Sequence, residues 1–430
     1  MTTATESPGI EVRVTADRRV ASYFGRPSFE TLVAAIICAA VLFNIVLAFL
    51  NANAVAISRG DVILGEILIV GAATIVCIAS ANRLMIPWFG VLWLLATILI
   101  AMTLVRQSFD PKYYRDVLLI PVFVALGMTF AKGNVVKLFA VLQAVVLAVM
   151  IFEAVSPEAF VRILSPWDYY VNTRDFAIDE TWHPESGLYL SALRPRGRFL
   201  GEFLGIHRLS SIFLEPVSLG NWCVIVAIFT AALWGAMSWR VRAFFMLTNV
   251  LLLIGSDGRL AFVTILLISI VSIFAHRFPR YIYFLYLPSV IIVAIVLVAA
   301  FGFEQGVDDF PSRVALSVDR LMRLDIPAFL GIDHSLVQFT ADSGISYLLV
   351  TQSIFGVIIL WSAICFLQPP TNRSAVVLMH GIGIYIALLL MVSFSLFSIK
   401  SAAPLWFIYG YMRVRTFIDG ERGRKTGTPP

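Results

Sequence analysis

Charged residues are scarce in this sequence. Asp, Glu, Lys and Arg make up 14% of its 430 residues, whereas a typical soluble protein has about 25%. Apolar residues make up 59%, and the mean hydropathy is +0.88. This composition excludes an ordinary soluble globular protein and predicts an all-α polytopic membrane protein.

Cysteine is scarce as well. Cys38, Cys77, Cys223 and Cys365 lie in apolar runs and form no CxxC pair, so the sequence supports neither a disulfide framework nor a zinc site. It also lacks the P-loop, HExxH, DxD and GxSxG motifs that mark many nucleotide, metal and serine-hydrolase sites. We therefore expect no metal, nucleotide or other cofactor.

Apolar runs predict about twelve transmembrane helices. Nine runs are long enough to cross a hydrocarbon core about 30 Å thick, at 31–50, 61–80, 85–105, 135–155, 213–236, 258–275, 281–302, 342–367 and 374–397. Three shorter runs lie at 117–131, 240–254 and 402–412. The predicted division is an N-terminal tail (1–30), helices 1–5 (31–155), a long loop (156–212), helices 6–9 (213–302), a second long loop (303–341), helices 10–12 (342–415) and a C-terminal tail (416–430).

The distribution of basic residues predicts the orientation of the chain. With both tails in the cytoplasm, seventeen Lys and Arg residues fall in cytoplasmic segments and six fall in the short outer loops. Short cytoplasmic loops carry an excess of Lys and Arg. We therefore expect the long loops, and the function, on the outer face.

Three outward-facing places put charge at the end of an apolar run. In the segment RLSSIFLEPVSLGNW, Arg208 and Glu215 are seven residues apart, so both project from one face if the segment is helical. The turn IGSDGRL carries Asp257 and Arg259. The second long loop and the start of the next run carry Arg313, Arg320, Arg323, His334 and Asp342.

These arginines are candidates for binding a phosphate group. The planar fork of arginine suits bidentate phosphate binding, and Arg208, Arg259, Arg313 and Arg320 are predicted on the side where a lipid-linked diphosphate would sit. Glu215 would then orient Arg208 or stay protonated. The alternatives are interfacial anchors or carboxylate partners for the arginines, and an intrahelical salt bridge for Glu215.

Aromatic residues interleave with polar ones in the first long loop. Trp167 and Trp182 are candidates for holding a saccharide ring, and an aromatic belt at the membrane surface is the alternative. His334 is alternatively an ordinary loop histidine, and Asp342 alternatively caps the helix that follows it.

The segment RLSSIFLEPVSLGNW resembles the R–x–x–S–x–F–x–E–P–x–x–x–G signature of Wzy-type polysaccharide polymerases, in the O-antigen polymerase and ligase superfamily. The matching residues are Arg208, Ser211, Phe213, Glu215, Pro216 and Gly220. LLLIGSDGRLAFVTILL is similar to the second block of the superfamily, although Asp257 and Gly258 separate Ser256 from Arg259. ADSGISYLLVTQSIFGVIIL is similar to the third block. It has Asp342–Ser343 where ligases typically have His–Asn, which favours a polymerase.

The resemblance implies a GT-C-like membrane glycosyltransferase of the bacterial inner membrane with a periplasmic active face. It would transfer a growing chain from undecaprenyl diphosphate to the next lipid-linked unit, making exopolysaccharide, capsule or O-antigen. Because the diphosphate leaving group is already activated, neither a nucleotide nor a metal is required. The expected partners are the lipid-linked oligosaccharide, the bilayer, a flippase and a chain-length regulator, and no nucleic acid.

The same resemblance suggests roles for the charged residues. Arg208, Arg259 and Arg313 would stabilise the charge on the departing diphosphate. Asp342 is the first candidate for the general base, followed by Glu215 and His334.

Two other functions stay open. A ligase or oligosaccharyltransferase of the same superfamily would pass the chain to lipid A–core or to a protein side chain. A membrane transporter belongs to a different class. Transporters commonly show internal repeats and midplane charge, whereas this sequence has no apparent repeat and is predicted to carry its charges near one surface.

Overall fold

The computed structural model describes residues 27–174, 186–194, 197–200, 205–279, 281–302, 310–340, 343–369 and 371–426. Across these ranges the chain is helical, and its only β-type pairing is an isolated bridge between Leu193 and His207. The α-helices, numbered here in chain order, are α1 Pro27–Asn53, α2 Arg59–Ala79, α3 Ile86–Arg106, α4 Pro111–Thr129, α5 Val135–Val155, α6 Pro157–Leu164, α7 Pro166–Arg174, α8 Pro216–Ala232, α9 Trp239–Ser256, α10 Arg259–Phe274, α11 Tyr286–Phe301, α12 Phe310–Met322, α13 Ile326–Phe329, α14 Gly344–Phe366, α15 Arg373–Leu389 and α16 Ile399–Thr426.

Each predicted apolar run overlaps one of these helices. In the described part of the chain, seven helices are long and apolar enough to cross a membrane, namely α1, α2, α3, α5, α9, α11 and α14. Helices α8, α10 and α15 are apolar but shorter. These helices confirm the prediction of an all-α membrane protein. One boundary differs, because α16 continues through the predicted C-terminal tail as far as Thr426.

Helices α4 and α16 form the centre of the bundle. Every residue from Leu119 to Thr129 in α4 and from Ser401 to Met412 in α16 is buried, as expected for helices that are covered on all sides. The two backbones approach closely at Gly127 and Gly410, where a Cβ atom would meet backbone atoms of the facing helix.

The segment from Arg208 to Glu215 does not form one helix. Ser211 to Phe213 form a single 3-10 turn, and Ser211 and Leu214 have positive φ angles of 54° and 59°. Helix α8 begins only at Pro216, a residue suited to the first helical position because it has no N–H group to pair. The prediction that Arg208 and Glu215 share a helix face is therefore wrong.

Polar contacts gather at the end of the bundle where α8 and α16 begin and α5 ends. Lys400, the second residue of α16, binds Glu215, the residue before α8. Glu153, near the end of α5, binds the backbone of Ser210. We call this end of the bundle the site end.

Candidate active site

The Glu215 carboxylate is the centre of a buried ionic cluster. The Lys400 ammonium lies 2.5 Å from Glu215 Oε2, and the Ser218 hydroxyl donates to the same oxygen at 2.6 Å. The Arg174 guanidinium forms an ion pair with Oε1. We call Glu215, Arg174, Lys400 and Ser218 the Glu215 cluster. Its members come from α7, α8 and its N-terminal boundary, and α16, so only the folded chain brings them together.

The local backbone explains why a carboxylate occupies this position. Glu215 is extended, with φ −130° and ψ 120°, and immediately precedes the first turn of α8. A helix N-terminus carries partial positive charge and favours an anion. Lys400 also donates to the Phe213 carbonyl at 3.3 Å, which ties the start of α16 to the same turn.

Two cations determine the charge state of Glu215, which lies just outside the apolar helix α8. Burial alone would raise the pKa of its carboxyl, but Arg174 and Lys400 outweigh burial and lower the pKa to about 2. A carboxylate that holds its proton so weakly is a poor general base near neutral pH. The arrangement instead makes Glu215 a group that holds two cations in place.

Arg174 is the accessible member of the cluster. Its side chain is 39% exposed, whereas that of Lys400 is 4% exposed. The guanidinium lies over the Tyr170 ring, 4.4 Å from its centroid, and donates to the Tyr189 hydroxyl at 3.2 Å. These aromatic rings fix the direction of the fork while one side of it faces outward.

Arg313 of α12 acts electrostatically on Tyr189, one of the two tyrosines beside Arg174. Burial raises the pKa of Tyr189 to about 12, Glu215 acts in the same direction, and Arg174 and Arg313 act against them. Arg313 itself is the fourth residue of α12, and its side chain is half-buried. Arg320 lies two turns further along α12.

Arg208 binds backbone carbonyls rather than Glu215. Its Nε donates to the Ser256 carbonyl and its Nη1 to the Ser191 carbonyl, both at 3.0 Å, and the residue is only 4% exposed. Arg198 donates to the carbonyls of Ile254 and Gly255 in the same helix end. Both arginines thus cap the C-terminus of α9, where unpaired carbonyls and the helix dipole favour cations.

A second carboxylate shapes the backbone around Arg208. Glu153 is fully buried and accepts hydrogen bonds from the Ser210 N–H at 2.8 Å and the Ser211 N–H at 2.6 Å. The Ser211 hydroxyl donates to the Val146 carbonyl at 2.6 Å. Successive N–H groups around an anion form a nest, and here the anion is a side chain of α5. Glu153 was not predicted as a site residue, although a lone carboxylate near the end of an apolar run is a signal that could have indicated it.

The Asp257–Arg259 turn lies beside the Arg208 cap. Asp257 is fully buried, bonds Arg194 Nη1 at 2.7 Å and accepts from the Leu200 N–H at 2.6 Å. Arg259 begins α10, and its guanidinium lies 6.0 Å from the Phe199 ring centroid. Among the described residues its buried Nε has no hydrogen-bond partner.

Four predicted site residues remain, and the structure describes two of them, Trp167 and His334. Trp167 is half-buried in α7, and its backbone N–H donates to the Gly187 carbonyl at 3.1 Å. His334 is half-buried and immediately precedes a 3-10 turn at Ser335–Phe339, with no hydrogen bond or ion pair to the Glu215 cluster in the described structure. Asp342 and Trp182 lie outside the described residues.

A second ionic cluster lies next to the first and was not predicted. Arg115 bridges Glu66 and Asp116, with distances of 2.5 Å and 2.6 Å, and the Tyr347 hydroxyl donates to Asp116 at 2.6 Å. Helix α2, which carries Glu66, packs against α7, which carries Arg174, so the two clusters lie on neighbouring helices. Helices α2 and α4 contribute the charged groups of the second cluster, and α14 contributes the Tyr347 hydroxyl.

At the site end the first two sequence blocks are in direct contact, and the third contacts the segment that leads to α16. The first block touches the second, because the Leu209 N–H donates to the Gly255 carbonyl at 2.9 Å. The third block begins beside the segment before α16, where the Ile345 N–H donates to the Leu390 carbonyl at 2.9 Å. Further along the chain, the same segment reaches Lys400, which binds Glu215 of the first block.

The capping role of Arg208 gives a specific prediction. We expect Arg208→Ala to lower the free energy of unfolding by about 1–3 kcal/mol, because the Ser256 and Ser191 carbonyls lose a buried donor. Arg208→Lys keeps the charge but loses the fork, so its effect should be intermediate. The thermal unfolding midpoint of the purified protein in detergent is the measurement, with the exposed Arg162→Ala in α6 as the control. An unchanged midpoint combined with lost activity would assign Arg208 to the substrate instead.

No group of three or more His, Cys, Asp or Glu side chains placed to hold a metal ion occurs in the part of the chain that the structure describes. In comparisons with known proteins, no protein-family model, no curated protein and no solved structure matches this chain.

Proposed function

We propose that this protein is a membrane glycosyltransferase that polymerises oligosaccharide repeat units carried on undecaprenyl diphosphate. The observation that supports this most is the Glu215 cluster, in which a buried carboxylate holds an accessible arginine at the site end of the bundle. We further propose that twelve helices span the bacterial inner membrane in a GT-C-like arrangement. The site end then faces the periplasm, where the lipid-linked units are joined.

The proposed reaction needs positive charge placed before the diphosphate leaves. The bond between the anomeric carbon of the growing chain and the diphosphate oxygen breaks, and a hydroxyl of the next unit takes its place. Arg174 stabilises the charge on the departing diphosphate, with Lys400 paired to the same Glu215 carboxylate and Arg313 contributing further positive charge from α12. Preorganised cations of this kind stabilise a transition state because they do not reorganise during the reaction.

The contacts of Glu215 change the roles that we propose for the charged residues. Arg174 and Lys400 replace Arg208 as the cations nearest Glu215. Glu215 then positions them, and Asp342 stays our first candidate for the general base that accepts the hydroxyl proton. Trp167, together with Tyr170 and Tyr189 beside Arg174, provides aromatic surface for the saccharide.

The test is chain growth by the purified protein in vesicles supplied with a lipid-linked repeat unit. We expect the wild type to make long chains and Arg174→Ala to slow chain growth about 10²–10³-fold, as for loss of one preorganised charge donor. Because Lys400 still pairs with Glu215 in this variant, it should remain folded. Arg162→Ala, which removes an exposed arginine of α6, is the matched control.

The same assay separates the alternative functions. A ligase would leave the repeat unit unpolymerised and would require a different acceptor, lipid A–core or a protein side chain. A transporter would move the repeat unit across the vesicle without joining two units. Long chains made at the wild-type rate by Arg174→Ala would overturn the role of the Glu215 cluster.

A further inference from the structure

An apolar groove runs along one side of the bundle. It has a volume of about 660 Å³ and lies between α11, α14 and the short helices α12 and α13. Every residue that lines it is apolar, including Ile291 of α11, Leu349 of α14 and Leu321 of α12. Ile358 and Met322 line it while being 54% and 68% exposed, so the groove is open along its side.

The groove has the length of a large part of a bilayer core. Its α14 wall extends from Ile345 to Trp361, sixteen residues or roughly 24 Å at the α-helical rise. A hydrocarbon core is about 30 Å thick. The groove therefore suits a long hydrocarbon chain lying along the helices.

A break in α14 creates this continuous wall. In an unbroken helix, Ile345 and Leu349 would point roughly 150° away from the mean direction of Ile354, Val357, Ile358 and Trp361. Ser353 has φ 62° and ψ 166°, which interrupts the helix and turns its second half so that both sets line one groove.

Arg106, from the end of α3, stabilises the break. Its Nη2 donates to the Val350 carbonyl at 2.7 Å, and its Nε donates to the Gly331 carbonyl at 2.5 Å. The carbonyls at an interrupted helix lose their usual N–H partners, and a guanidinium replaces those partners.

Helix α12 carries a cationic residue beyond one end of the groove. Leu321 of α12 lines the groove, and Arg313 lies eight residues or roughly 12 Å earlier in the same helix. The Ser317 hydroxyl between them donates to the Ser343 hydroxyl at 2.7 Å, which fixes α12 to the start of α14. A cationic residue, Arg313, thus lies beyond one end of the apolar lining, on a helix that forms part of the groove.

We propose that this groove binds the isoprenoid tail of the lipid carrier, with its diphosphate held by Arg313. The inference rests on the proposed function for the identity of the lipid and adds where the tail lies. A ligand with an anionic head and a long apolar tail matches both the charge at one end and the uninterrupted apolar lining.

Two adjacent residues of α11 give a matched test. Ile291 lines the groove, whereas Ile292 is 61% exposed on the helix surface. We expect Ile291→Trp to raise the KM of an undecaprenyl-linked repeat unit about tenfold, the effect of losing one or two buried methylene groups. The same variant should leave the KM of a geranyl-linked unit unchanged. Ile292→Trp should alter neither.

Photolabelling gives a readout that does not depend on turnover or on the folding of a variant. A benzophenone-bearing undecaprenyl diphosphate should label wild-type peptides of α11 and α14, and undecaprenyl phosphate should displace the label. Equal KM changes for both tails would overturn the inference. So would displacement of the label by phosphatidylethanolamine vesicle lipid, which would make the groove an ordinary lipid contact. If the wild type joins neither substrate, the proposed function fails, while the photolabelling result still decides where the tail binds.

Discussion

Lys400→Met is expected to destabilise the protein and to abolish chain growth. Lys400 is 3% exposed and its ammonium is a partner of the buried Glu215 carboxylate. Removing one member of a buried ion pair leaves a charge that is neither hydrated nor fully compensated, at a cost of about 3–5 kcal/mol. We expect the lower part of this range, because Arg174 remains paired with Glu215.

A double variant separates the structural effect from the functional one. Lys400→Met combined with Glu215→Gln removes both buried charges, so most of the lost stability should return. Chain growth should not return, because the glutamine no longer holds the Arg174 guanidinium by charge. The thermal unfolding midpoint in detergent and the chain-length distribution in vesicles are the two measurements.

Lys137→Met is the control for loss of one lysine charge. Lys137 is exposed in the first turn of α5, at the opposite end of that helix from Glu153. Wild-type stability and chain length are expected for it. If Lys400→Met behaves like this control, the buried Glu215–Lys400 pair is not part of the folded protein. If the double variant recovers full activity as well as stability, Glu215 does not position Arg174 for the reaction.

Gly410→Ala is expected to disrupt the centre of the bundle more than a single methyl group usually does. A Cβ atom at this position would lie 1.9 Å from the Val124 carbonyl oxygen, and a Cβ at Gly127 would lie 2.1 Å from the Phe407 carbonyl oxygen. In both cases the obstacle is backbone, which cannot rotate away. Overpacking of a well-packed core costs about 1–3 kcal/mol, and we expect Gly410→Ala to lie at or above the upper limit.

Gly71→Ala is the control for this prediction. Gly71 lies in α2, and a Cβ there would meet nothing within 4 Å. Gly-to-Ala at an unobstructed helical position stabilises by about 0.4–1 kcal/mol, because the unfolded chain loses conformational freedom. Opposite shifts of the thermal unfolding midpoint are therefore expected for the two variants. Equal shifts would show that α4 and α16 do not touch through their backbones at Gly410.

The role of the Arg208–Glu215 segment could be predicted only in part. The sequence marked both residues as charges at the end of an apolar run, and both lie at the site end of the fold. The prediction that Arg208 and Glu215 share a helix face was wrong because it assumed a continuous helix. The positive φ angles of Ser211 and Leu214 turn the chain between them. Such angles depend on Glu153, fifty-seven residues before Ser210, which occupies the local N–H groups.

The cationic partners of Glu215 could not be predicted from local sequence. Lys400 is 185 residues away along the chain. Arg174 is the last residue of the short helix α7, whose function no spacing rule indicates. Charge pairing in a bundle depends on which helix ends are neighbours, and the length of an apolar run carries no information about its neighbours.

The sequence by itself determined that this chain is an all-α membrane protein and where its helices lie, because the cost of placing unpaired polar groups in hydrocarbon acts on each segment separately. It also determined which rare charges needed an explanation. Only the tertiary structure decided which cations surround Glu215, that Arg208 caps α9, and that the broken α14 helix lines a groove. These features arise from contacts between distant segments, whose energies depend on helix packing rather than on composition.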